Sequence, residues 1–108
     1  MKGNFFSFKE FLAFLLIYAS HADINFSDEE KQFIREKVSD PVFDKVHGQF
    51  NELTDYQALE VILSYKEYYF PNKQDKKHLF EELHNLFHAD GDFSYLEKEL
   101  LTFLDRIM

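Results

Sequence analysis

The chain carries one eleven-residue stretch twice, as HADINFSDEEK at residues 21–31 and as HADGDFSYLEK at residues 88–98. Seven of the eleven aligned residues are identical, at a constant offset of 67 positions. Apolar residues at helical spacing precede and follow both copies, so each copy is predicted to be a short acidic turn between two helices. Two related helical hairpins are therefore expected, and they indicate the fold class.

Both turns end in the sequence signature of a helix start. Ser27 and Ser94 are each followed three residues later by a glutamate, Glu30 or Glu97. This is the spacing of a capping box, in which the serine hydroxyl accepts a hydrogen bond from the glutamate's backbone N–H. The glutamate carboxylate in turn accepts one from the serine's backbone N–H. New helices are therefore predicted directly after residues 27 and 94.

Helical periodicity continues through the rest of the chain, and no stretch alternates apolar and polar residues for long enough to require a strand. Asp40 is expected to cap one helix, and a capping box at Thr54 is expected to open another. The predicted helices span about 8–21, 28–38, 41–52, 55–70, 73–88 and 95–108. The first and fourth are apolar on nearly all sides and are expected at the centre. The predicted fold is all-α: a compact bundle of about six helices with pseudo-twofold related hairpins, in one domain over residues 1–108.

Composition excludes several classes of function. The chain has no cysteine, so it offers no disulfide, thiolate metal site or thiolate nucleophile. Its formal net charge of −8 argues against a nucleic acid partner, because a phosphate backbone requires a basic face. No Gly-rich phosphate loop and no convincing nucleophile–base pair is present, so no catalytic activity is expected.

The N-terminal region has some features of a secretory signal peptide, because an apolar run at residues 11–19 precedes small residues. Lys9 and Glu10 interrupt the approach to this run, and cleavage after it would cut into the repeated stretch. The run is also too short to span a bilayer. A buried helix in a cytoplasmic protein is therefore predicted. Phe5 and Phe6 are expected to cover the end of that helix or to meet a second copy of the chain in a homodimer.

The turn predicted at Asp90, Gly91, Phe93 and Glu97 resembles the acidic turn of the TerB-like domain family, named for a tellurite-resistance protein. The family turn reads Ala-Asp-Gly-x-Ile-x-x-x-Glu between two helices, and residues 89–97 match it with phenylalanine for isoleucine. The first copy departs from the pattern at Ile24, where the family turn has glycine. The resemblance covers nearly the whole chain, since TerB-like domains are compact helical bundles with pseudo-twofold related halves.

This resemblance implies a cytoplasmic, non-enzymatic module that acts in metal-linked, tellurite-linked or general stress responses through protein–protein interaction. The partner proteins are not identified by it. The acidic turn residues of the family have been proposed to bind divalent metal. The corresponding residues here are Asp90 and Glu97, with Asp23 and Glu30 in the first copy.

The residues of the second turn also favour a metal site by their chemistry. Asp90, Asp92 and Glu97 offer three carboxylates, which are ligands suited to calcium, magnesium or manganese. A complete EF-hand is not expected, because Leu86 and His88 stand where its first two acidic ligands would be. The sequence therefore predicts at most a weak divalent site.

An alternative function rests on two histidines. His84 and His88 lie four residues apart, hence on one helix face, as paired zinc ligands often do. Asp90 or Asp92 could complete a zinc site, and the chain would then be a small metal-dependent enzyme or a metal sensor. The other interpretation of the histidines is that both are exposed polar positions beside an apolar stripe.

Overall fold

The computed structural model describes residues 6–21, 27–89 and 95–108, except for the side chains of residues 95 and 96. This part of the chain forms seven α-helices. They are α1 (Phe8–Ser20), α2 (Asp28–Val38), α3 (Asp40–Asn51), α4 (Asp55–Ser64), α5 (Lys66–Tyr69), α6 (Lys73–Phe87) and α7 (Tyr95–Ile107). These ranges contain no strand, and the all-α prediction is confirmed. The radius of gyration of 12.9 Å is that of a compact domain of this length.

Side-chain caps begin four of the helices, and the predicted capping boxes at Ser27 and Thr54 are confirmed. Complete capping boxes start α1 at Ser7, α2 at Ser27 and α4 at Thr54. Asn72 caps α6, because its side-chain oxygen accepts the backbone N–H of Asp75 at 2.9 Å. The predicted cap at Ser94 lies outside the described residues. Local capping chemistry therefore accounts for four helix starts.

Helix α1 lies at the centre of the core and packs against α2, α3, α4 and α6. Nine of its thirteen residues are buried, which confirms the prediction of a core helix. Within the described ranges, no helix is long and apolar enough to cross a membrane.

Phe6 belongs to the core of its own chain. Its ring is 2% exposed and lies 5.5 Å from that of Phe14 and 5.6 Å from that of Tyr65. Its backbone N–H donates to the Tyr65 hydroxyl at 2.9 Å, and the Tyr69 hydroxyl donates to its carbonyl. Phe6 therefore packs against α1 and Tyr65 of its own chain, and the homodimer through the N-terminus remains a prediction. Phe5 lies outside the described residues.

The predicted fourth helix is wrong in two respects. It is divided at Tyr65 into α4 and the single turn α5. The Ser64 hydroxyl donates to the carbonyl of Val61 at 2.6 Å, and such bonds bend helices. Helix α4 is also peripheral rather than central, because only Ala58 and Ile62 are buried in it and Tyr56 is 66% exposed. Leu59, Val61 and Leu63 of α4 are partly buried and pack against the core.

The prediction that Asp40 caps the third helix is also wrong. The N-cap is Ser39, which has a φ of 95° and makes no side-chain cap bond. The Arg35 guanidinium lies 3.2 Å from the carboxylate of Asp40 and 3.2 Å from that of Asp44. Asp40 therefore joins an ion-pair network across the α2–α3 junction, and the chain reverses direction through a strained residue.

Candidate functional site

Only part of each acidic turn lies within the described residues. The predicted metal ligands Asp23, Asp90 and Asp92 fall outside them. The two remaining predicted ligands, Glu30 and Glu97, are each only 2% exposed. Burial of a carboxylate is costly unless hydrogen bonds compensate it, so both glutamates require an explanation from their surroundings.

The capping box explains the position of Glu30. Its Oε1 accepts the backbone N–H of Ser27 at 3.2 Å and the Ser27 hydroxyl at 3.3 Å. The Ser27 hydroxyl oxygen in turn accepts the backbone N–H of Glu30 at 3.1 Å. At least one oxygen of this carboxylate is thus committed to the start of α2. Its capping role is confirmed, and its role as a metal ligand remains a prediction.

A metal centre does not arise from the described residues by themselves. In residues 6–21, 27–89 and 95–108, no group of three or more His, Asp or Glu side chains could hold a metal ion. Glu97 stands in the first turn of α7, and the predicted ligands Asp90 and Asp92 precede it by seven and five residues in the sequence. A site at the second turn would need ligands from that turn, as the sequence predicts.

His84 and His88 have the relative placement that the sequence predicted. Both are exposed, and their rings lie 6.1 Å apart with planes inclined by 11°. The backbone N–H of His88 donates to the carbonyl of His84 at 3.1 Å, at the end of α6. The pair shares one face of the helix, while the aspartates proposed to complete the site fall outside the described residues.

His21, the equivalent of His88 in the repeat, has a different environment. Its Nδ1 lies 2.8 Å from the carbonyl of Ile17, and its ring packs 4.8 Å from that of Phe50. His47 of α3 lies 6.4 Å away, and burial lowers the pKa of His47, with the nearby His21 lowering it further. The sequence offered no signal for this pair, because the two histidines approach only when α1 packs on α3.

A small cavity lies beside His21. Its lining includes Tyr18, Asp55 and Leu100, and its volume is about 100 Å³. Burial raises the pKa of Tyr18, and the Asp55 carboxylate raises it further. Because one water occupies roughly 30 Å³, the cavity can hold a few waters but no substrate of ordinary size. The raised pKa of Tyr18 favours its protonated form beside this small cavity.

A larger cleft runs along α2. We define the acidic face as Asp28, Glu29, Gln32, Phe33 and Glu36, which line this cleft together with Ala89. The cleft has a volume of about 590 Å³. Phe33 is half-buried in its lining, and the three carboxylates are exposed. Phe33 packs against the core and also lines the cleft.

A second cleft, of opposite charge, lies where the start of α6 meets the end of α7. We define the lysine patch as Lys73, Lys76, Lys77 and Phe80, which line this cleft together with Asp105. Its volume is about 390 Å³, and Phe80 is half-buried in it. The lysines were recognisable in the sequence as a basic cluster, but the concave shape was not.

The chain was compared with protein families, with curated proteins and with solved structures, and nothing matches it in any of the three.

Proposed function

We propose that this protein is a non-enzymatic, TerB-like interaction module that docks a basic segment of a partner protein on its acidic face. The proposed setting is a metal-linked, tellurite-linked or general stress response, with a weak divalent-cation site at the second turn. One observation carries the proposal: an open cleft of about 590 Å³ whose lining combines a half-buried phenylalanine with three exposed carboxylates. The family resemblance of the second turn supports the choice of setting.

The charges of the acidic face support a docking role beyond helix stability. Asp28 and Glu29 stand in the first turn of α2, where negative charge is favourable to the helix dipole. Glu36 stands near the other end of α2, where that benefit is absent. Its Oε1 accepts a hydrogen bond from the Gln32 side-chain amide at 3.0 Å, and both residues line the cleft. A lysine-rich partner would find charges at both ends of the cleft.

The shape of the cleft suggests the rest of the partner's chemistry. Phe33 lies between Glu29 and Glu36 along the helix, so an apolar side chain could contact its ring while flanking lysines or arginines meet the carboxylates. An apolar anchor surrounded by a charged rim is the usual composition of a protein docking site. The partner segment is therefore expected to carry both basic and apolar residues.

A peptide titration tests the acidic face. A short fluorescein-labelled peptide with lysines and leucines at helical spacing should bind, and the double variant Glu29→Gln/Glu36→Gln should bind it roughly tenfold more weakly, or about 1.4 kcal/mol. The reason is the loss of two charges that flank the aromatic contact. Fluorescence anisotropy measures the affinity of each variant.

The matched control for this titration is Glu60→Gln/Glu67→Gln, which removes two exposed carboxylates from α4 and α5. This variant should bind the peptide as the parent chain does. If both double variants lost the same affinity, peptide binding would depend only on the net charge of the protein. The proposed docking face would then be wrong.

The metal site has its own test. We expect calcium to shift the backbone amide signals around Asp90, Asp92 and Glu97, with a dissociation constant of about 10⁻⁴–10⁻³ M. The second turn is favoured because Gly91 permits backbone conformations that Ile24 resists. It also has Asp92 where the first turn has Asn25. NMR spectra recorded during a calcium titration would locate the site.

Two outcomes would contradict the calcium prediction. Shifts centred on residues 23–30, or none at millimolar calcium, would leave the acidic turns as helix-capping elements only.

The alternative function has a separate test. The 6.1 Å separation of the His84 and His88 rings supports this alternative. Stoichiometric zinc that is lost in His84→Ala would favour a metal sensor or metal-dependent enzyme.

A further inference from the structure

Helix α6 begins with an unusual concentration of positive charge. Three of the twelve basic residues of the chain lie within residues 73–77. Lys73 lies in the first turn of α6, where positive charge opposes the helix dipole, and Lys76 and Lys77 follow in the second turn, where the dipole does not favour lysine. Helix stability therefore does not explain why the three lysines lie at this end of α6.

An interaction within the chain explains only one of the three lysines. The Nζ of Lys76 lies 3.0 Å from the Asp105 carboxylate and donates to the Asp105 carbonyl at 2.9 Å. Lys73 and Lys77 are exposed, and no carboxylate in the described part of the chain forms an ion pair with either. Two ammonium groups are thus available at the rim of a concave surface.

The chemistry of the lysine patch favours carboxylates next to an apolar side chain. Phe80 provides the apolar part, with the Lys76 Nζ 5.7 Å from its ring centre. The patch contains no arginine to form a bidentate pair with a phosphate. Asp105 on its rim would also repel a doubly charged phosphate more strongly than a single carboxylate. A protein segment with spaced carboxylates and one aromatic residue fits these features.

The acidic face of α2 is such a segment. Glu29, Phe33 and Glu36 are spaced by four and then three residues, which places them on one helix face. Lys73, Lys77 and Phe80 likewise lie on one face of α6, with the phenylalanine at the end of the stripe rather than between the charges. The two stripes have opposite charges, and each includes a half-buried phenylalanine at a cleft.

We propose that the lysine patch of one copy of this chain binds the acidic face of a second copy. The proposal rests on the proposed function, because it takes the acidic face as a docking surface and names the partner as another copy. The contact joins two different surfaces, so it is heterologous. Repeated contacts of this kind form a closed ring or an open chain of more than two copies. The net charge of −8 opposes association at long range. At 0.15 M salt this repulsion is screened beyond about 8 Å, while charges in contact are screened less.

Charge reversal tests the pairing. Sedimentation equilibrium at 0.15 M salt should show the weight-average mass of the parent chain rising above 13.0 kDa with concentration. Lys77→Glu and Glu36→Lys should each stay at the monomer mass, because each places like charges across the contact. An equimolar mixture of the two variants should associate again, since the lysine introduced into one variant then faces the glutamate introduced into the other.

The matched controls are Lys66→Glu and Glu60→Lys, which reverse exposed charges outside both surfaces. They should associate as the parent chain does, and circular dichroism should show unchanged helicity in all four variants. A parent chain that stays at 13.0 kDa up to about 1 mM would overturn the proposal. So would a mixture that fails to associate, or binding of anionic lipid vesicles to the lysine patch of a monomeric chain. If the parent chain is monomeric but still binds the basic peptide, only this inference is wrong. If the chain neither associates with itself nor binds the peptide, the proposed function is wrong as well.

Discussion

Replacing Leu16 by alanine is expected to lower the free energy of unfolding by about 2–5 kcal/mol. Leu16 is 0% exposed in α1, the helix that packs against four others. Truncation of its side chain removes apolar contacts and leaves a cavity that rigid helices on several sides cannot close. Denaturant unfolding followed by circular dichroism measures the change through the transition midpoint.

The half-buried Leu63 of α4 provides the matched control for this substitution. Leu63→Ala removes the same atoms from the edge of the core and should cost clearly less. A shortened chain that begins at Asp23 lacks α1 altogether and should not fold cooperatively. If that shortened chain kept the melting temperature of the parent, the role of α1 as the central helix would be wrong.

Replacing Phe11 by alanine is expected to cost about 3–5 kcal/mol. Its ring is fully buried and lies 5.5 Å from Tyr65, 5.3 Å from Tyr69 and 5.8 Å from Phe70. These contacts connect α1 to the α4–α5 junction, so the loss should exceed that of an isolated apolar contact. Thermal and denaturant unfolding should both report it.

Phe103 in α7 is the corresponding control, because it is 44% exposed. Phe103→Ala should lower the free energy of unfolding much less than Phe11→Ala does, since much of the Phe103 ring already contacts water. Similar losses at the two positions would mean that the aromatic cluster around Phe11 is not a principal source of stability.

The candidate site could be predicted from the sequence only in part. The repeat identified Glu30 and Glu97 as equivalent residues, and both prove to be buried. The pairing of His84 with His88 also follows from helical spacing, because it depends on one helix alone. The approach of His21 to His47 could not be predicted, because 26 residues and a change of helix separate them. Side chains from different helices meet only through tertiary packing.

The sequence by itself determined the helical class and most of the helix starts. Capping at Ser7, Ser27, Thr54 and Asn72 depends on residues within three positions, so these short-range signals are complete in the sequence. The apolar character of α1 likewise indicated a central helix, because a helix without a polar face must be buried.

Tertiary structure alone decided how the remaining apolar and charged residues are used. It placed α4 at the periphery, it paired Arg35 with Asp40 and Asp44, and it made Ser39 rather than Asp40 the N-cap of α3. It also left Phe33 and Phe80 half-buried at clefts of opposite charge. Helical periodicity states which residues share a face, but the extent to which a face is covered depends on the neighbouring helices, whose positions are set by the packing of the whole core.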